Sequence, residues 1–303
     1  MASLLVLAAG MGSRYGGLKQ MDPVGPSGET LLDYAVFDAL RAGFGRVVFL
    51  IRRDFADAFR DRVFSRYSGR AAVDIAFQEI GSLPEGFAAP AERTKPWGTA
   101  HAVWCARTAL QDGFAVINAD DFYGADAFRK LAAFLRGQVS DVDPARPDQH
   151  PRPDPFFAMA GFRLSETLSE HGAVARGVCS LEDGRLLSIT ERTDITAAKI
   201  GPGREFSGEE TVSMNCWAFT PELFPLLEAR LRAFLAGHVG EPGAECYLPT
   251  AISSIIGAAE AEVAVLPVTG PWFGVTYRED RPRVASAVAG LVARGAYPER
   301  LFP

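Results

Sequence analysis

No run of apolar residues in this chain comes near the ~20 needed to cross a bilayer, and the longest are the length of a strand. Association with a membrane is therefore not expected. Cysteine is scarce: Cys105, Cys179, Cys216 and Cys246 lie far apart with no Cys-x-x-Cys pair, so neither a disulfide framework nor a zinc site is foreseen. A surplus of positive charge is also lacking. The net charge of −6 argues against nonspecific nucleic-acid binding, which depends on basic patches that release counterions. The opening residues carry neither the basic flank nor the cleavage site of a signal peptide, and residues 4–9 read better as a first strand. A reduced, cytoplasmic protein is the expectation. Repeats and low-complexity tracts are missing as well.

With 303 residues and 48% hydrophobic content, the chain can bury a large core. Its start is the most informative stretch. An apolar run, Leu4-Leu5-Val6-Leu7, breaks into a loop dense in glycine, Ala8-Ala9-Gly10-Met11-Gly12-Ser13-Arg14-Tyr15-Gly16-Gly17-Leu18-Lys19-Gln20. Bare N–H groups in such a loop form an anion nest, and Arg14 and Lys19 can neutralise a polyphosphate held there. Two familiar glycine motifs do not fit. A dinucleotide fingerprint would need glycine where Tyr15 stands, and no helical pattern opens before about residue 30. The P-loop spacing from Gly12 to Gly17 is followed by Leu18 instead of lysine.

Strand and helix patterns then alternate, the mark of a mostly parallel α/β sheet. Residues 31–42 are apolar at helical spacing and stop at Gly43. Residues 47–51 read as a buried strand, 72–77 as a half-covered one, and 99–110 as a helix capped by Thr99. A buried strand at 114–118 and a helix at 126–136 follow, and then 138–155, with five prolines, reads as a surface excursion. The second half offers strands at 156–164, 211–219 and 261–268, and helices at 222–236, 248–256 and 282–293. A hairpin joins 174–180 to 186–190 through Glu182-Asp183-Gly184. In an open α/β sheet a ligand lies beyond the carboxyl ends of the strands, and both the glycine loop and Asp120 fall on that edge.

The motif Leu7-Ala8-Ala9-Gly10-Met11-Gly12-Ser13-Arg14, followed by Lys19-Gln20, resembles the signature of the sugar-1-phosphate nucleotidylyltransferases. Three further segments resemble that family's motifs in the same order: Gly98-Thr99-Ala100-His101-Ala102, then Ile117-Asn118-Ala119-Asp120-Asp121-Phe122-Tyr123-Gly124, then Ser213-Met214-Asn215-Cys216-Trp217. The resemblance implies a Rossmann-like α/β fold with a mixed, mostly parallel sheet flanked by helices, of the GT-A kind. It implies one domain, with a nucleotide-binding half at 1–137 and a smaller sugar-binding lobe at 156–303. Its chemistry would be in-line attack by a sugar 1-phosphate oxygen on the α-phosphorus of a nucleoside triphosphate, with pyrophosphate leaving. An oxygen already ionised at neutral pH needs no general base, so positioning and charge stabilisation carry the reaction. Arg14 and Lys19 would be the catalytic cations. Ala8, Ala9, Gly10, Gly12, Ser13, Gly98 and Thr99 would hold the nucleotide, and Asn118, Glu191, Arg192 and Asn215 the sugar phosphate. Asp120 would bind Mg²⁺, a hard cation suited to carboxylate and phosphate oxygens. Asp121 is the rival ligand, read here as a cap on the turn before Phe122-Tyr123, while His101 is read as a structural residue of a core-facing helix.

Two departures from the family's pattern bear on specificity. Where a base-reading glutamine is usual, this chain has Arg93. Where a second metal aspartate is usual, in a Trp-x-Asp motif, it has Trp272-Phe273-Gly274, with Thr276, Glu279 and Asp280 as nearby oxygen donors. UTP or dTTP is the favoured triphosphate, and the base, the sugar and the oligomeric state stay open. A cytidylyltransferase acting on phosphocholine or an alditol phosphate is the alternative. A catalytically silent nucleotide-sugar sensor is a further one. A glycosyltransferase of similar fold fits less well, because Asp120-Asp121 lacks the intervening residue of an Asp-x-Asp metal motif.

Overall fold

The opening apolar run forms strand β1 (Ser3–Leu7), flanked on both sides by parallel strands, β2 (Arg46–Ile51) and β4 (Phe114–Asn118). Strand β3 (Ala72–Phe77) lies parallel outside β2. These elements belong to a computed structural model that describes residues 1–10, 22–67, 69–137, 155–275 and 278–302. Alternate residues along the strands enter different cores, with Leu4, Val6, Phe49 and Ile117 on one face and Leu5, Val48, Leu50 and Val116 on the other. Both faces are covered, which is why these strands read as unbroken apolar runs.

Helix α1 (Leu31–Ala42) begins and ends where its sequence signals do. Thr30 and Asp33 form a reciprocal capping box, and Gly43 at φ 99° terminates the helix in a left-handed turn. The crossover from β2 to β3 is helical too, although its sequence shows no clean period. Short α-turns, α2 (Ala56–Phe59) and α3 (Ser65–Tyr67), flank a π-helical stretch at Arg60–Phe64. Helix α4 (Thr99–Cys105) is shorter than expected and passes into a 3₁₀ turn at Arg107–Ala109. Thr99 does not cap it. A cap residue must precede the first helical turn, and Gly98 holds that place at φ 93°. The Thr99 hydroxyl instead accepts from Leu248 N at 2.8 Å, capping the start of another helix.

Helix α5 (Gly124–Leu135) packs with α1 on the first face. Helices α6 (Leu223–His238) and α7 (Leu248–Gly257) cover the second with α4. The closing helix α8 (Arg281–Ala293) lays Val284 and Val288 against Tyr34, Phe122 and Tyr297 in a third, smaller core. Of the surface excursion expected at 138–155, all but residue 155 lies outside the described residues.

The expected sheet was mixed and mostly parallel; its second half is mixed as expected but mostly antiparallel. Strands β6 (Phe156–Arg163), β7 (Val174–Glu182), β8 (Arg185–Ile195), β9 (Thr211–Phe219) and β10 (Glu262–Pro267) extend it in the order β4-β9-β6-β10-β8-β7. Only β6 and β10 are parallel; every other pairing beyond β4 is antiparallel. The β7–β8 turn explains part of this, since Asp183 and Gly184 at φ 48° and 73° make a two-residue hairpin, which can join only antiparallel neighbours. Strand β7 also pairs back onto β9, so these five strands close on themselves. The result is a mixed sheet, parallel in its first half and largely antiparallel in its second. A separate two-stranded ribbon joins β5 (Asp121–Phe122) to β11 (Phe273–Gly274).

Candidate active site

Strand β9 opens the gap in which the site forms. It pairs with β4 as far as Val116↔Trp217 and then leaves it. Against β6 its register jumps between Met159↔Trp217 and Gly161↔Ser213, and from Ser213 onward it pairs with β7. Asn215 lies in that jump at φ 55°, a left-handed conformation that asparagine tolerates better than most side chains. The space left between the ends of β4 and β9 is a cavity of about 250 Å³. Its wall carries the side chains of Asn118, Asp120, Asp121, Glu191 and Asn215 together with Arg176.

The first strand delivers its loop to the same edge. Leu7 pairs with Asn118, Leu7 O accepts from Ala119 N at 3.2 Å, and Ala8 N donates to Leu50 O at 2.9 Å. Ala8 and Ala9 are buried, and Gly10 has open space on its Cβ side. The glycine loop and the aspartate motif therefore leave neighbouring strands side by side. Gly12, Ser13, Arg14 and Lys19 lie outside the described residues.

Asp121 is not a helix or turn cap. It is buried in β5, where Asn118 Nδ2 donates to it at 2.9 Å; α5 has no side-chain cap. Tyr123 OH accepts from Asn118 N at 3.0 Å, and its single proton lies between Asp121 Oδ2 at 3.1 Å and Met214 O at 3.0 Å. Burial, and then the adjacent Asp120 charge, push the Asp121 carboxyl above the usual carboxylate range in spite of these bonds and of Arg176. Burial also raises the Glu191 carboxyl, with Arg176 opposing. The Arg176 guanidinium is spent on the wall, donating to the carbonyls of Thr167 and Ala175. Among the described residues of the wall, Asp120, Asp121 and Glu191 thus face a single guanidinium, Arg176, part of whose donors are bound to backbone carbonyls.

Gly274 stands where the family pattern has its second metal aspartate, and no side chain fits there. A Cβ on it would fall 2.4 Å from the Trp272 ring and 2.9 Å from Asp121 Oδ1, because Gly274 pairs directly with Asp121. The Asp121 carboxylate occupies the space a side chain at 274 would enter. Neither Glu279 nor Asp280 lines the cavity; Asp280 is buried and accepts from Ser169 Oγ at 2.9 Å. Thr276 lies outside the described residues.

No protein-family model and no curated protein matches this chain. Solved structures do. A UDP-glucose pyrophosphorylase complexed with UDP-glucose is 15% identical, with a TM-score of 0.59 over 96% of this chain and 99% of its own. The inositol-1-phosphate CTP transferase from T. maritima is 13% identical, with a TM-score of 0.61 over 96% of each chain. A Bacillus anthracis protein assigned as a glucose-1-phosphate thymidylyltransferase, in complex with sucrose, is 14% identical at 0.62 over 95% of each. The chain has the sugar-1-phosphate nucleotidyltransferase fold. The resemblance read from its motifs holds at that level.

Within the nucleotidyltransferase fold, the remaining expected residues divide. Gly98 sits against the backbone of Cys246, where a Cβ would come within 2.5 Å, so close packing as well as its positive φ demands glycine. Arg192 is not part of the cavity wall; its guanidinium pairs with Glu205 and lies over the Phe206 ring. Arg93 is also remote from the wall. It is buried over Trp97, 3.3 Å from the ring centroid, and donates to the carbonyls of Lys95, Pro96, Glu241 and Ala244. Such a residue staples two loops together. His101 is structural, as expected: burial drives its imidazole down to about 4, Nε2 donates to Ser82 O at 2.6 Å and Nδ1 accepts from Gln78 at 3.1 Å. Sequence reasoning missed Arg176 and Ser213 as parts of the wall. Arg176 lies in no chemically suggestive pattern, Ser213 stands in the matched motif with no role assigned to it, and the strand switch of β9 is what gathers them.

Proposed function

We propose that this chain is a divalent-metal-dependent nucleotidyltransferase that joins a nucleoside triphosphate to a sugar 1-phosphate and releases pyrophosphate. One observation carries the reading: β1 and β4 are adjacent parallel strands, so the start of the glycine loop at Ala8-Ala9-Gly10 leaves the same sheet edge as Asp120 and Asp121, which line a polar cavity. In this reading the acceptor's phosphate oxygen bonds to the α-phosphorus as the bond to the β-phosphate bridging oxygen breaks. Arg14 would grip the β- and γ-phosphates, and Lys19 would stabilise charge developing at the α-phosphorus. Ala8, Ala9, Gly10, Gly12 and Ser13 would present backbone N–H groups to the triphosphate. Gly98 and Thr99 would bound the base, and Glu191, Asn215 and Asn118 would hold the sugar phosphate.

The donor set fits a hard cation. Asp120 would be its main ligand, with Asp121 the second carboxylate in place of the closed position at Gly274. Among the described residues no three His, Cys, Asp or Glu side chains are grouped to hold a metal alone, so phosphate oxygens and water would complete the shell, as Mg²⁺ prefers. Neutralising the phosphates is what the cation supplies when bound.

UTP and dTTP remain the favoured triphosphates. The similarity to the inositol-1-phosphate CTP transferase supports a second reading, a cytidylyltransferase acting on a non-sugar polyol phosphate. Pyrophosphate release, measured for ATP, GTP, CTP, UTP and dTTP against α-D-glucose 1-phosphate and myo-inositol 1-phosphate with Mg²⁺ and with EDTA, tests both. Metal-dependent release with one pair supports the proposal and selects between the readings. Silence across the grid would favour the sensor.

A further inference from the structure

The segment that follows the glycine loop rests on the far end of the chain. Asp22, three residues after Lys19, opens a turn whose backbone closes on itself: Val24 N and Gly25 N both donate to Glu29 O at 2.8 Å, and Gly28 N donates to Gly25 O at 3.2 Å. The turn is tied to α8 and to the chain after it. Arg281, the first residue of α8, donates through Nη2 to Pro23 O at 3.3 Å, and its Nη1 lies 3.7 Å from the Asp22 carboxylate. Val24 is buried in one small core with Val284, Val288 and Leu301. Ser27 Oγ donates to Glu299 O at 2.9 Å. We propose that α8 braces the triphosphate end of the site, with Arg281 as a positioning residue for the glycine loop. The proposal rests on the nucleotidyltransferase reading and names what holds its loop in place.

The same helix is joined to the cavity from the other side. Asp280, just before it, accepts from Ser169 Oγ, and Arg283 donates to Leu168 O at 3.4 Å, next to Thr167, whose carbonyl holds the Arg176 guanidinium. Phe122, the neighbour of Asp121, belongs to the small core that contains Val24 and Val284. A single helix thus ties the exit of the glycine loop to the aspartate ribbon and to the support of the cavity wall. Glycine imposes little conformation of its own, so a stretch rich in it takes its geometry from its two ends. One end is fixed by β1 and the other by the turn at residues 22–29. Where positioning carries the reaction, loosening one end costs rate. Arg281 suits the task because a forked guanidinium can hold a carbonyl and a carboxylate at once. An exposed pair of this kind adds little to global stability, so its effect is local.

The test uses Arg281→Ala, Arg281→Lys and a double variant that combines Arg281→Ala with Ser27→Ala. Hydrogen exchange in peptides covering residues 22–30 should quicken about tenfold in the double variant and less in Arg281→Ala, with the melting temperature unchanged to within about 2 °C. For the triphosphate and acceptor that turn over, kcat/KM for the triphosphate should fall about tenfold in the double variant while the acceptor KM stays within about twofold. Arg281→Lys should keep most of the wild-type value, since an ammonium still reaches the same oxygens. A mere packing role would lower the melting temperature and would not separate the two substrates. Quicker exchange with triphosphate kcat/KM unchanged would overturn the proposal, and so would unchanged exchange. Should the wild type transfer no nucleotide, calorimetric titration with the Mg²⁺ complexes of UTP, dTTP and CTP decides. Binding weakened about tenfold in the double variant would uphold the brace and defeat the activity. Equal binding in variant and wild type would defeat the brace, and a wild type that binds none of the three would defeat both.

Discussion

Asp38 offers a sharp test of how this fold handles a buried charge. It lies in α1 at 2% exposure, its Oδ2 accepting from Tyr297 OH at 2.6 Å and its Oδ1 without a partner among the described residues. Burial raises its carboxyl to about 7 from 3.8, against the Tyr297 bond and the charges of Arg41 and Arg129. A carboxyl raised in the folded state contributes stability that is complete below its unfolded value of 3.8 and is lost as pH climbs through about 7. At ~1.36 kcal/mol for each tenfold change, the full loss is about 4 kcal/mol, and local relaxation around the charge brings the expected figure to about 2–4 kcal/mol. Asp38→Asn carries no charge at any pH and so escapes this loss. Urea denaturation of both proteins at pH 4.5, 6 and 8 should give curves that converge at the acid end and separate at pH 8, with the variant the more stable. His101 titrates in both proteins and cancels in the difference. A stability gap that stays constant from pH 4.5 to 8 would falsify the reasoning.

Other expectations follow from the site and its supports. Lys19→Ala should lower nucleotidyl transfer by ~10²–10³-fold with the melting curve unchanged, and near-normal turnover would remove Lys19 from the mechanism. Gly274→Ala should destabilise the protein by about 1–3 kcal/mol in chemical denaturation, since its Cβ meets the Trp272 ring and Asp121 at once. Thr99→Val should cost ~0.5–2 kcal/mol by uncapping α7, while Thr99→Ser should retain most of that stability.

Helix α1 shows how much a sequence can declare when local signals agree. Its cap box, apolar spacing and terminal glycine all act within one short segment, and its bounds were readable to the residue. Thr99 shows the opposite: its type was right for a cap, but the N–H it serves belongs to Leu248, far along the chain, and no local pattern records that. The parallel strands were legible because burial on both faces leaves a continuous apolar run. The turn of the second half was also legible, but which strands flank it depends on pairings that hydropathy does not encode. For the cavity, Asn118, Asp120, Glu191 and Asn215 were found through motifs. Arg176 carries no motif, Ser213 sits in the asparagine motif with no role read for it, and Asp121 was read as a cap because its burial arises from β11, which pairs with it across the ribbon.

Strand β3 has a bearing on assembly. In the parallel half, the outer side of β3 has no strand partner among the described residues. Lateral growth of this half by a second chain, whether a native dimer or the first step of aggregation, would add to β3, away from the cavity.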